Sequence, residues 1–183
     1  PDTSFSQSRH GGNEENFDSI KNHEEVLAGS IASYRNLLGL IQKDSGNFNK
    51  GYRDLSNPFE YREVLPFIEV VNLADYMIHN MYSAARDWPG NFYIGYDRSG
   101  DHGGWWFYDW DNEHGLKGSV NENRTRPHSR DADSPTKFHH ALRVNPEYRM
   151  MFADRIQRAF FNGGPLYVDP ENPHFEATRP GKN

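Results

Sequence analysis

The segment Arg86-Asp87-Trp88-Pro89-Gly90-Asn91-Phe92-Tyr93-Ile94-Gly95-Tyr96, followed by Trp105-Trp106-Phe107-Tyr108-Asp109-Trp110-Asp111-Asn112-Glu113-His114, carries two aromatic runs with acidic and amide side chains at their outer ends. Pro89 and Gly90, one with a fixed φ and the other permissive, punctuate the chain and force a turn between Asp87 and Asn91. Phe92 to Tyr96 reads as a strand, Asp97 to Gly104 as a polar turn, and Trp105 to Tyr108 as the returning strand. A hairpin brings its two outer ends side by side, so Asp87, Asn91 and Asp111 are expected to converge. Two carboxylates and an amide oxygen are hard ligands of the kind that Mg2+ or Mn2+ takes, commonly sharing the ion with phosphates.

Outward from the hairpin, the periodicity is mostly helical. Asn72 to Met81 or Ala84 is strongly apolar, with Leu73, Tyr76, Met77 and Asn80 on one face, and its end delivers the chain to Arg86 and Asp87. From Glu24 to Gln42, Val26, Leu27, Ile31, Tyr34, Leu37, Leu38 and Ile41 recur at spacings of three and four. That spacing predicts one amphipathic helix, with Asn22 as its N-cap and Glu24 and Glu25 in its first turn. Shorter helices are expected at Pro58 to Leu65, Pro135 to Leu142 and Pro146 to Phe161, the last closed by Asn162-Gly163-Gly164. Residues 1–16 lack apolar periodicity and read as a loose arm. Lys117 to Ser134 reads as a charged mobile loop, and residues 165–183 as a polar tail. The fold class expected is α+β, mainly helical, with one central hairpin and a core of Leu37, Leu38, Phe67, Ile68, Leu73, Met77, Phe152, Ile156 and Phe160.

Composition narrows the functional classes. The 183 residues are only 35% hydrophobic, with a mean hydropathy of −0.94. That is low for a self-sufficient core, and with the initial Pro1 and a polar end it predicts a piece of something longer. The absence of cysteine removes disulfide scaffolds, thiolate zinc sites and cysteine nucleophiles. A net charge of −6 argues against a nucleic-acid phosphate footprint, and no signal peptide or membrane span is visible.

Each candidate residue has a plain alternative. Asp87 can accept hydrogen bonds within a tight turn or act on a substrate proton. Asn91 is a turn residue or a metal ligand. Asp111 ends an aromatic strand, where an unpaired carboxylate is costly unless it meets a cation. Strand alternation puts Asp109 on the side of Asp111, although a salt bridge from Asp109 or Glu113 to Arg86 or Arg98 suits these residues as well. Arg86 either neutralises phosphate charge or pairs on the surface. The adjacent His139 and His140 would diverge by about 100° on a helix, and no His-Glu-x-x-His spacing occurs, so no histidine metal site is read.

Several motifs together resemble the CotH kinases, relatives of protein kinases. They are Phe17-Asp18-Ser19-Ile20-Lys21, Asn72-Leu73-Ala74-Asp75-Tyr76-Met77, Asp87-Trp88-Pro89-Gly90-Asn91, Trp110-Asp111-Asn112-Glu113-His114, Asn145-Pro146-Glu147-Tyr148-Arg149, Phe152-Ala153-Asp154-Arg155 and Phe160-Phe161-Asn162-Gly163-Gly164. The resemblance spans roughly nine-tenths of the chain. It is to the variant with Asp-Trp-Pro associated with large bacterial surface or secreted proteins, Trp88 and Pro89 standing where a spore-type member has Arg and His. It implies that residues 17–164 are a kinase-like C-terminal lobe without the N-terminal lobe, active only in the parent protein. It further implies ATP-dependent phosphoryl transfer, with Mg2+ or Mn2+, to a protein or small-molecule hydroxyl. By the same resemblance Asp87 is the catalytic aspartate, and Asn91 and Arg86 contact the nucleotide. Asp111, Asn91, Glu113 and Asp109 are then the metal set, and the location is extracellular or at the cell surface. A different reading is an inactive, metal-stabilised binding module that uses exposed Trp88, Trp105 and Trp106.

Overall fold

A computed structural model describes residues 2–22, 24–43, 51–118, 121–125 and 133–171. Among them are six α-helices and one four-stranded antiparallel sheet, an α+β arrangement dominated by helix. The expected hairpin is present to within one residue, as β3 (Tyr93–Asp97) and β4 (Trp106–Tyr108). It is not alone. β1 (Phe17–Lys21) pairs with β3, and β2 (Glu25–Ala28) pairs with the far side of β1, giving the order β2-β1-β3-β4.

The register explains which face of the sheet is core. Ile20 lies opposite Ile94, and Ile94 opposite Phe107. These three residues form one buried row of the kind of cross-strand packing that stabilises sheets. Ser19, Gly95 and Trp106 form the neighbouring row on the opposite face. That face is covered by α1 (Thr3–His10), whose Asp2 cap accepts from the Ser4 and Phe5 amides at 3.1 and 3.3 Å. Residues 3–10 are therefore a packed helix rather than a loose arm. Their contact with the sheet is made by a small residue and aromatic edges, which leave no apolar period to read. Ser6 is buried, the Phe5 and Tyr108 rings meet edge to face at 5.0 Å, and the His10 Nε2 lies 3.1 Å from the Tyr108 hydroxyl. A Cβ on Gly95 would stand 2.7 Å from the Ser6 hydroxyl and 2.9 Å from that of Tyr108, so only glycine admits the helix this closely.

The long amphipathic helix expected from Glu24 to Gln42 is divided. Its first part is β2, and the helix proper, α2, runs Ala32–Ile41. Gly29, at φ +74°, breaks the helical path. The buried Asp18 carboxylate holds the new one, accepting from the Ser30 amide at 2.8 Å and the Ser33 hydroxyl at 3.1 Å. Asn22 does not cap the helix; its amide donates to the Phe92 carbonyl at 3.1 Å. Tyr34, Leu37, Leu38 and Ile41 keep the helical spacing and are buried, whereas Val26 and Leu27 are exposed.

The other helices follow their sequence signals. α3 (Pro58–Val64) begins with Pro58 after an Asn57 cap; α4 (Val70–Tyr82) buries Leu73, Tyr76, Met77 and Asn80; α5 is Thr136–Leu142 and α6 is Pro146–Phe160. Asn162 and Gly163 have positive φ and end α6. The returning chain then bonds back, the Leu166 amide donating to the Ala159 carbonyl at 2.8 Å. Much of the expected tail, residues 172–183, and half of the expected mobile loop, at 119–120 and 126–132, lie outside the described residues.

Aromatic residues dominate the interior. Trp105 packs on Tyr34 at 5.1 Å and on Tyr96 at 5.2 Å, and Phe138 packs on Tyr34 and Phe107 at 5.8 and 5.9 Å. Leu37, Leu38, Ile68, Leu73 and Met77 belong to this core, and Phe67 and Phe152 pack on its edge. Ile156 and Phe160 do not: Ile156 is exposed although it lies four residues after Phe152, and Phe160 packs edge to face on the exposed Tyr82 at 5.3 Å.

Candidate functional site

The turn after α4 is anchored from inside. Trp88 is buried against Tyr76, with ring centroids 6.0 Å apart, and the Tyr76 hydroxyl donates to the Trp88 carbonyl at 3.4 Å. From the other side the Ser134 hydroxyl donates to the Pro89 carbonyl. The Asp87 carbonyl accepts from the Gly90 and Asn91 amides, both at 3.0 Å, which closes the turn. Held in this way, the Asp87 side chain is exposed, and among the described residues no hydrogen bond or ion pair occupies its carboxylate.

The two ends of the hairpin meet. The Asn91 Nδ2 donates to the Asp111 Oδ2 at 3.1 Å, so Asp87 is linked to Asp111 through the main chain and side chain of one residue, Asn91. Asp111 itself has left-handed backbone angles, φ 55° and ψ 43°, and opens a single helical turn at Asn112–His114. Aspartate tolerates that region better than most residues. Glu113 reaches back to Asp111. This contact, with Asn91, holds the Asp111 carboxyl below its ordinary range and pushes that of Glu113 up, as in two carboxyls sharing one proton.

Asp109 faces a different set of groups. Its Oδ2 lies 2.9 Å from the His79 Nε2. Burial pushes the Asp109 carboxyl up, but hydrogen bonds from His79, Asn112 and Asn80 outweigh it and hold the group below its usual range. The same bond raises His79 above the ordinary imidazole value, against burial. The expected ion pairs are therefore rearranged: Asp109 takes His79, Arg98 takes the buried Asp18, and the exposed Arg86 lies 3.7 Å from Glu122. β4 ends at Tyr108, so the strand alternation that would have aligned Asp109 with Asp111 does not reach them. His79 is the site residue that sequence reasoning missed. Its signal was its place one residue before Asn80, in the last turn of the helix that delivers the Asp87 loop.

The surface expected of Trp88 and Trp105 is not there, as their relative exposures are 3% and 0%. Trp106 is half-buried, and the exposed indole near the site is Trp110, edge to face with Tyr93 at 4.6 Å. Among the described residues, no three His, Asp or Glu side chains form a ready metal cage. No described helix is long and apolar enough to cross a membrane. The chain matches no family model, no curated protein and no solved structure.

Proposed function

We propose that this chain carries the catalytic loops of a CotH-like kinase, transferring a phosphoryl group from ATP to a hydroxyl of a protein or small molecule. The observation that supports this most directly is the Asn91 to Asp111 hydrogen bond, which joins the Asp87 turn to the acidic end of the hairpin. Loop aspartate, amide four residues on, hairpin and second aspartate is the order of parts used in protein-kinase phosphoryl transfer.

The donor set fits a hard divalent cation. Asp111 and Glu113 are exposed carboxylates close enough to compete for a proton. Asn91 spends its NH2 group on Asp111, which leaves its carbonyl oxygen for an ion. Mg2+ characteristically takes one or two carboxylates and completes its shell with water and phosphate oxygens, so a full protein cage is not required. Bound there, Mg2+ or Mn2+ would neutralise charge on the ATP phosphates. Asp109 has the supporting role in this reading: paired with His79, it fixes the strand end from which Asp111 departs. Asp87 orients the acceptor hydroxyl and takes its proton as the oxygen attacks, and Arg86 faces the phosphates when it leaves Glu122.

Calorimetric titration of the longer parent protein, which would supply the N-terminal lobe, with ATP and Mn2+ tests the assignment. Metal-dependent nucleotide binding is expected, lost in Asp111→Asn and retained in Asp87→Asn, while Asp87→Asn lowers transfer to an acceptor. Equal, small effects of the two substitutions on binding would remove the division of roles.

A further inference from the structure

A cavity of about 460 Å³ opens between α4, α6 and the segment that returns from the end of α6. Its charged lining is lopsided. Arg155 holds Asp75 with two parallel bonds, Nε to Oδ1 and Nη2 to Oδ2, both 2.6 Å. This leaves the Nη1 donors of Arg155 uncommitted, because a guanidinium carries five N–H groups. Arg158 lies three residues on, on the same helical face, and among the described residues it has no acid partner. His79, also on the wall, is matched by Asp109 outside the cavity. The single carboxylate inside is thus already paired, and one guanidinium is left over. The remainder of the wall, including Ile78 and Leu166, is apolar. The back-bond from the Leu166 amide to the Ala159 carbonyl fixes the apolar lip.

We propose that this cavity binds a small organic anion, a carboxylate or phosphate head on an apolar body, with the head between Arg155 and Arg158 and the body against Ile78 and Leu166. Two guanidinium groups on one helix face suit a forked oxyanion. The volume falls in the range of small-molecule sites, about 300 to 1,000 Å³. The assignment does not depend on phosphoryl transfer, since Asp87, Asn91 and Asp111 do not line the cavity.

The test is an amide NMR titration of the 15N-labelled chain with phenyl phosphate and with phenylacetate, using benzyl alcohol and inorganic phosphate as controls. Either aromatic anion is expected to shift the Ala159 and Leu166 amides with a Kd on the order of 1 mM, and the tighter of the two identifies the head group. Arg158→Glu, at an exposed position, is expected to weaken binding roughly tenfold or more. Leu166→Trp, which fills the apolar end, is expected to do the same without changing charge. The proposal is overturned if neither anion shifts those amides or if both variants bind like the parent chain. It is equally overturned if benzyl alcohol or inorganic phosphate binds as tightly as the aromatic anions.

Discussion

Lowering the pH from 7 to 5 is expected to destabilise this protein through His139. The imidazole is buried, its Nδ1 lies 2.9 Å from the Tyr148 hydroxyl, and Phe152 packs on it at 5.0 Å. Burial pushes its pKa from 6.5 down to about 4, and the positive charges of His140 and Arg143 act in the same direction. At 1.36 kcal/mol per unit that shift is worth about 3 kcal/mol in all. Between the two values the unfolded chain binds the proton and the native chain does not, so stability rises with pH. The contribution is complete above pH 6.5 and is lost as pH falls towards 4. At pH 5 the unfolded imidazole is nearly all charged and the native one mostly neutral, so about 2 kcal/mol is lost relative to pH 7. His139→Gln keeps a polar group towards Tyr148 but cannot titrate. Urea unfolding followed by circular dichroism at both pH values separates this effect from that of the carboxylates. The midpoint of the parent chain should fall by roughly 1 M more than that of the variant, for a urea slope of about 2 kcal/mol per M. Equal falls in the two proteins would refute the assignment of a buried neutral imidazole.

Other substitutions probe the frame around the site. Gly95→Ala drives a methyl into Ser6 and Tyr108 and should cost about 1 to 3 kcal/mol, read from the thermal midpoint. Asn145→Ala removes both the α6 cap to the Glu147 amide and the buried bond to the Leu55 carbonyl, each 2.8 Å, and should cost about 2 kcal/mol in urea. Asp109→Asn should bring the raised His79 pKa back down, measured by imidazole NMR titration, because the hydrogen bond to Asp109 is its main cause.

What was legible in the sequence, and what was not, divides along the range of the interactions. The hairpin, α3, α4, α5 and α6 are announced by local signals: Pro58 and Pro146 at helix starts, Asn162 and Gly163 at a helix stop, and an aromatic run returning after a polar turn. The link between Asn91 and Asp111 followed from the hairpin alone, because any antiparallel pair brings its outer ends together. β1 and β2 were hidden. The splitting of 24–42 depends on Asp18, which captures Ser30 and Ser33 from another strand, and no periodicity reports such a partner. α1 was hidden by the reverse problem, since Ser6 is buried for its smallness. The Asp109 to His79 pair was missed because it joins the end of β4 to the last turn of α4, thirty residues away, and extended alternation was assumed past Tyr108, where the strand stops. Ile156 was misplaced because its spacing of four from Phe152 puts it on the same side of α6 whether or not a neighbour packs there.

The pairing of β1 with β3 also bears on how the molecule reaches this state. β1 with β2 and β3 with β4 are neighbours along the chain, so each pair can close early at little entropic expense. Ile20 and Ile94, in contrast, are roughly seventy residues apart, and their contact joins the two halves of the sheet with α2, α3 and α4 folded in between. The rate-limiting event is therefore expected to be the zipping of these two inner strands. Trimming Ile20 or Ile94 to Val should slow refolding more than it speeds unfolding, and Val26→Ala on the outer strand should leave the refolding rate nearly unchanged.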